Sequence, residues 1–443
     1  MLDVAYQSFY ILWKGDFAFQ AMRFGAAMTQ VFPLVALKLG GSLAVVLKSY
    51  SLSFVLVQWL MFFICDGLLK AREIALVIFL FNIWLITHDF FWVQNELIQG
   101  TSLCLVFWAF TLKKQGKMGW MNVLVAVGVI LTLAFFHPLV AVSFVYIAFF
   151  LLLTPSSTLE IKKSVIVSIV AFALALAFKF FLAPAGYDAQ TMERLSFGRS
   201  KQFFQHAGQS PALQMLLERL PYEFLLLPAG LLLVIGFYLH RRSFLKAGFV
   251  FFSTVGYTLV VLVSYQESRD WFHVESQFLP LSIFLVYPIV SDVLPGFCNS
   301  KKQAIYSLVV LLVIICFRLV VILDTSRFYT ARIAYIAELL EKTKSQPGTK
   351  FMINDAWIDK NRLLQTWGLG YETLYYSALQ SPDSTRSIVA FSDVKQEAWR
   401  QEHPHVFHAM GNMARYQELP RQAFHFNDTT SFYIVLDSMV FQK

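Results

Sequence analysis

Ser264-Tyr265-Gln266-Glu267-Ser268-Arg269-Asp270-Trp271-Phe272-His273-Val274-Glu275-Ser276-Gln277-Phe278-Leu279-Pro280 is a charged, aromatic stretch held between two apolar runs, Ala247 to Tyr265 and Phe278 to Leu294. Each run approaches the roughly 17 to 25 residues that carry a helix across a hydrocarbon core about 30 Å thick. Arg269, Asp270, His273 and Glu275 are therefore expected where one helix surfaces and the next goes back in. So many ionisable groups in so short a connection mark a site at the mouth of a helical membrane bundle.

The rest of the chain extends that pattern. Hydrophobic residues make up 57% and charged residues only 14%, well short of the roughly 25% charged in an ordinary soluble domain. Eight further apolar runs begin near Ser51, Ile74, Leu97, Met121, Pro138, Ser164, Phe224 and Ala304, giving ten expected spans. The basic residues fall in clusters at Lys70/Arg72, Lys113/Lys114/Lys117, Lys162/Lys163, Arg241/Arg242/Lys246 and Lys301/Lys302, one in every second loop. That is the positive-inside pattern, so the net charge of +8 reports orientation and not a nucleic-acid surface. Cys65, Cys104, Cys298 and Cys316 lie in or beside apolar runs without CxxC or Cys/His spacing, which argues against a disulfide framework or a zinc site.

Three regions follow from this reading: an amphipathic interfacial segment over 1–50, a polytopic transmembrane domain over 51–323, and a small domain over 324–443. Both ends are expected outside the cytoplasm. The first segment must reach that side although no apolar run precedes it, so an upstream span missing from this chain is expected. A second outer stretch, Pro184 to Glu223, mixes Arg194, Arg199, Lys201 and Arg219 with aromatic residues, as interfacial helices do. It reads equally as a lid or as a contact to lipid phosphate. Strands are expected at Lys350 to Asn354, Ser387 to Phe391 and Phe432 to Leu436, with helical periodicity at Arg327 to Lys344, Glu372 to Leu379 and Gln396 to Arg400, an α/β or α+β arrangement. No Walker loop, GxGxxG or nucleophile elbow is present.

Chemistry-bearing groups gather on the expected outer face. They are Asp3 and Asp16, the hairpin residues His88, Asp89 and Glu96, His137 before Pro138, and Arg269, His273 and Glu275. One outward cavity would bring them together. Polar residues also collect at any water-facing helix end, and for His88 and His137 taken singly that plainer reading stands. Asp66 and Lys179 lie near span ends and can snorkel, and Arg318 falls about one and a half turns from the outer end of its span; only deep placement would incur the roughly 2.5 to 3.5 kcal/mol of a mid-membrane charge.

With the outer face populated in this way, the chain resembles the GT-C superfamily of integral membrane glycosyltransferases, in particular the protein mannosyltransferase-like and aminoarabinose transferase-like enzymes. Asp3-Val4-Ala5-Tyr6 is similar to that family's acidic first outer loop, and Thr29 to Leu34 resembles the interfacial helices that follow it. Trp271 to Leu281 is similar to its charged or aromatic loop running into a Leu-Pro-Leu span. The resemblance implies transfer of a sugar from a polyprenyl-phosphate donor to a lipid, glycan or protein acceptor on the extracytoplasmic face, by inverting chemistry with a carboxylate base. In that frame Asp3 is the catalytic base, Arg269 and His273 face the donor phosphate, and Glu275, Glu96, Asp89, His88 and His137 bind substrate. No cofactor is implied, and a divalent cation is left open. A bacterial inner membrane, with the C-terminal domain outside, is the expected location. A transporter or lipid-linked sugar flippase and a non-catalytic GT-C-like scaffold are the rival classes; no internal repeat of the transporter kind is visible.

Overall fold

The computed structural model of the protein describes residues 2–92, 94–114, 119–155, 157–182, 196–268, 271–298, 300–381, 383, 385–391, 405–409, 412–426 and 434–436. The chain begins with α1 (Leu2–Lys14) and α2 (Ala27–Lys38). The ten apolar runs then appear as α3 (Leu43–Phe63), α4 (Arg72–Trp84), α5 (Glu96–Lys113), α6 (Trp120–Ala134), α7 (Val140–Leu152), α8 (Leu159–Leu182), α11 (Leu226–His240), α12 (Phe244–Ser264), α13 (Trp271–Pro288) and α14 (Lys301–Lys342). Two short helices, α9 (Phe197–His206) and α10 (Pro211–Arg219), fill the stretch before α11. Among the described residues, five helical segments are long and apolar enough to cross a membrane: those of α3, α8, α12, α13 and α14. Shorter apolar helices include α6, α7 and α11.

The centre of the bundle is α13. Its apolar stretch, continued to Phe297, is 78% buried, whereas those of the other four long helices are 17 to 39% buried and turn their apolar surface outward. That outward carbon is what a lipid solvent covers. α13 packs beside α4, whose Ile74, Ile78, Phe81 and Trp84 are buried, and beside α7, α11 and α12. Pro288 brings no N–H, so the Phe284 carbonyl one turn earlier loses its helical donor. The Tyr146 hydroxyl of α7 supplies the replacement at 2.7 Å. Directly after the proline the helix widens into a π segment, Ile289–Val293, a usual response to an interrupted ladder.

Arg318 of α14 turns inward instead of reaching for a membrane surface. It is fully buried and donates from Nε to the Ile83 carbonyl at 2.7 Å, from one terminal nitrogen to that of Ile86 at 2.8 Å, and from the other to that of Glu223 at 2.7 Å. The carbonyls at the end of α4 have no helical partner of their own, and the guanidinium fork meets them. One side chain thereby joins α14, α4 and the entry to α11.

α14 continues without a break past Leu323 into the C-terminal region. There β1 (Lys350–Asn354) lies between β2 (Ser387–Phe391) and β5 (Ile434–Val435) in a parallel sheet. α15 (Leu369–Gln380) is part of the β1-to-β2 crossover that a parallel pair requires. A hairpin, β3 (Val406–Ala409) with β4 (Asn412–Arg415), pairs antiparallel. Arg332 of α14 anchors the unit with a 2.5 Å ion pair to Glu372 and a bond to the Leu363 carbonyl. The expected strands at Lys350 and Ser387 form over those residues, whereas the helix expected at Gln396 to Arg400 lies outside the described residues. The N-terminal segment packs on the same unit: Phe9 meets Tyr371 and Phe407 with ring centroids 5.0 and 5.2 Å apart, and the Tyr375 hydroxyl donates to the Ala5 carbonyl at 3.1 Å. α3 begins at Leu43, ahead of the expected Ser51, so the last residues of the 1–50 segment belong to this apolar helix.

Candidate functional site

Residues 85–92, 94 and 95, between α4 and α5, organise one end of the bundle. α4 stops at Trp84, a short 3-10 turn forms at Asp89–Phe91, and Asn95 restarts the chain as α5 by accepting from the Leu97 and Ile98 amides at 3.0 and 3.2 Å. The open backbone between them presents its N–H groups to Glu275 in the second turn of α13. One Glu275 oxygen accepts from the amides of Thr87, His88 and Asp89 at 2.7, 2.8 and 3.2 Å, and the other from the Thr87 hydroxyl at 2.7 Å. Glu275 is 2% exposed. A buried carboxylate is tolerated when hydrogen bonds replace its water, and here four do.

Around this carboxylate the loop places two more ionisable groups. Asp89 is fully buried; its Oδ1 accepts from the Ser276 hydroxyl at 2.9 Å, and its Oδ2 has no hydrogen-bond partner among the described residues. Burial, reinforced by the negative charge of Glu275, holds the Asp89 carboxyl well above its ordinary range. The His88 imidazole is neutral, its pKa pushed far down by burial and by the positive charge of Arg219. Tyr329 of α14 donates to the His88 carbonyl at 3.1 Å, which couples the loop to the helix carrying the C-terminal unit.

A second cluster adjoins the first through α5. Glu96, in its first turn, pairs with Arg23 at 2.9 Å. His137, in the connection between α6 and α7, is kept neutral by burial and by the positive charges of Arg23 and Lys179. Lys179 donates to the Phe136 carbonyl at 3.1 Å. The N-terminal segment closes over both clusters through Gln7, which donates to Gln94 at 2.8 Å and accepts from Gln30 at 3.0 Å and Tyr50 at 2.5 Å. Asp3, half-buried in the first turn of α1, lies one helical turn before Gln7 and so on the same face.

Of the residues singled out in the sequence, His88, Asp89 and Glu275 therefore meet directly. Glu96 and His137 meet through Arg23, and Asp3 shares a helix face with the glutamine that reaches Gln94. Arg269 lies outside the described residues, as does the side chain of His273. Sequence reasoning passed over Gln7, Thr87, Gln94 and Ser276, since polar uncharged residues carry no periodic signal; only the density of glutamine and asparagine before α5 hinted at Gln94. Arg219, expected only as part of the interfacial stretch before α11, also reaches this site. His88, Glu223 and Glu275 offer ligand atoms within 4.8 Å of one another. Both Glu223 oxygens already accept from Arg219 at 2.6 and 2.7 Å and both Glu275 oxygens from the loop, so a divalent cation there would share these carboxylates with contacts already made.

Helices of this length and hydropathy define a helical membrane protein. Comparison with known proteins gives no match to a family model, to a curated protein or to a solved structure.

Proposed function

We propose that the chain is a membrane glycosyltransferase of GT-C-like architecture, with ten spans and its C-terminal unit on the extracytoplasmic face. It moves a sugar from a polyprenyl-phosphate donor to an acceptor hydroxyl. The observation that supports this reading is the gathering of Asp89, Glu96 and Glu275 around one loop, with Asp3 half-buried on the amphipathic N-terminal segment that bonds to this loop through Gln7 and Gln94.

In this reaction the acceptor oxygen attacks the anomeric carbon from the face opposite the donor phosphate. The new C–O bond forms as the bond to the phosphate oxygen breaks, and the lipid phosphate departs with the electron pair, inverting the anomeric centre. Asp3 takes the acceptor proton, because it is the least enclosed of the four acids and so able to reach substrate. Glu275, whose oxygens are occupied by the loop, is a positioning residue: it fixes the segment carrying His88 and Asp89. Those two, with Glu96 and His137, line the sugar and acceptor region, while Arg269 and His273 meet the donor phosphate.

The test uses the full chain in membrane vesicles with a radiolabelled polyprenyl-phosphate sugar. Asp3→Asn is expected to lower transfer by about 10² to 10⁴-fold while donor binding persists. Transfer that survives at the wild-type rate removes Asp3 from the role, and absence of transfer with any polyprenyl-linked sugar by the wild-type chain removes the class.

A further inference from the structure

Opening toward the opposite, lysine-rich end, a groove of about 320 Å³ lies between α14, Leu233 in the middle of α11 and the segment from Ile289 to Phe297 that follows α13. Phe297, Val310 and Ile314 form its walls, Tyr306 stands at its mouth, and Trp84, only 2% exposed, lies at its inner end. From Gln303 to Ile314, α14 climbs about 16 Å at roughly 1.5 Å per residue. That is the depth of one leaflet in a hydrocarbon core about 30 Å thick. A single acyl chain matches this depth, whereas a polyprenyl chain would need a path beyond Trp84.

The rim is cationic. The Lys302 ammonium lies 5.8 Å from the ring centroid of Tyr306. Arg241 donates to the Gly296 carbonyl at 3.3 Å, and its guanidinium lies 5.7 Å from the ring of Phe237, which itself packs 5.7 Å from Phe297. Lys301 and Arg242 are exposed nearby. Asp292, the acid beside the lining residue Val293, is already held by Lys246 at 2.6 Å. We propose that this groove binds one acyl chain of an anionic glycerophospholipid, whose phosphate sits at the Lys302 and Arg241 rim. Apolar walls of leaflet depth beneath a cationic rim complement that lipid at both ends, and basic groups at a membrane surface select anionic headgroups.

Native mass spectrometry of the purified full chain, offered equal phosphatidylglycerol and phosphatidylcholine after delipidation, tests the assignment. Phosphatidylglycerol is expected to be retained in preference. Lys302→Gln and Arg241→Gln should each lower its retention about fivefold, and Lys302→Arg should preserve it. Ser307→Phe, which places a ring in the groove, should abolish retention with every charge intact; Ser307→Leu serves if the larger side chain lowers the melting temperature. Equal retention of the two lipids overturns the proposal. So does undiminished retention in the Ser307 variants, which would reduce the effect to surface charge, and so does preferential retention of an added polyprenyl phosphate.

Discussion

Glu275 uses both oxygens on the loop, so its replacements separate structure from chemistry. Glu275→Ala leaves three buried amides without an acceptor, at about 1 to 3 kcal/mol each, and should lower stability by at least about 3 kcal/mol in denaturant titrations of the detergent-solubilised chain. Glu275→Gln keeps one oxygen for those amides and should lose much less. Asp89 carries a pH signature instead. Its pKa is raised in the fold, so the stability it contributes is complete below its ordinary value of 3.8 and is lost as pH rises toward the folded value. Asp89→Asn keeps an oxygen for Ser276 and cannot ionise. Its melting temperature should therefore gain on that of the wild type between pH 5 and pH 8, and a constant difference across that range would mean that Asp89 is ionised throughout.

At the scale of elements, the joints between helices are made by single polar groups. Arg318 meets three carbonyls, and hydrogen bonds from a charged donor contribute about 1.5 to 3 kcal/mol each. Arg318→Met, which keeps much of the volume but none of the donors, should loosen α14 from α4 and lower the melting temperature more than any lipid-facing change on α14, such as Val313→Ala. Arg318→Lys should recover only part of the loss, because an ammonium is a point and not a planar fork. Tyr146→Phe deprives only the Phe284 carbonyl of its donor and should cost about 1 to 3 kcal/mol, read in the same melts.

For the whole molecule, the proposal of ten spans oriented by the five basic clusters predicts that Lys443 is outside the cytoplasm. A reporter active only in the cytoplasm, fused after Lys443, should be silent; activity there would invert or recount the spans. The C-terminal unit is bound to the site from two directions. α14 reaches His88 through Tyr329, and α1 lies against α15 through Phe9 and Ala5 and is tied to the turn after β4 by the 3.0 Å bond from Trp13 to Glu418. Deleting the chain after Thr343 should therefore perturb α1, exposing Asp3 to carboxyl-modifying reagents, even though the deleted residues are far from Asp3 in sequence.

Hydropathy by itself determined the helices. An apolar run must become a helix in a solvent that offers no hydrogen bonds, so α3 to α8 and α11 to α14 could be read from composition, as could the strands at Lys350 and Ser387 from their β-branched and aromatic residues. Charge density likewise pointed to His88, Asp89 and Glu275 as neighbours of the bundle mouth. Which of them would meet was settled only by tertiary structure. Glu275 finds its partners in backbone amides nearly two hundred residues away, and such amides are the same in every sequence. Arg318, expected near a membrane surface, turned inward because α4 ends beside it with unpaired carbonyls. Gln7 joined three helices and a loop because Gln30, Tyr50 and Gln94 converged on it. Hydrophobic patterning is local and periodic, and so it can be read along a chain; the pairing of buried polar groups is satisfied in space, between residues that carry no mark of one another.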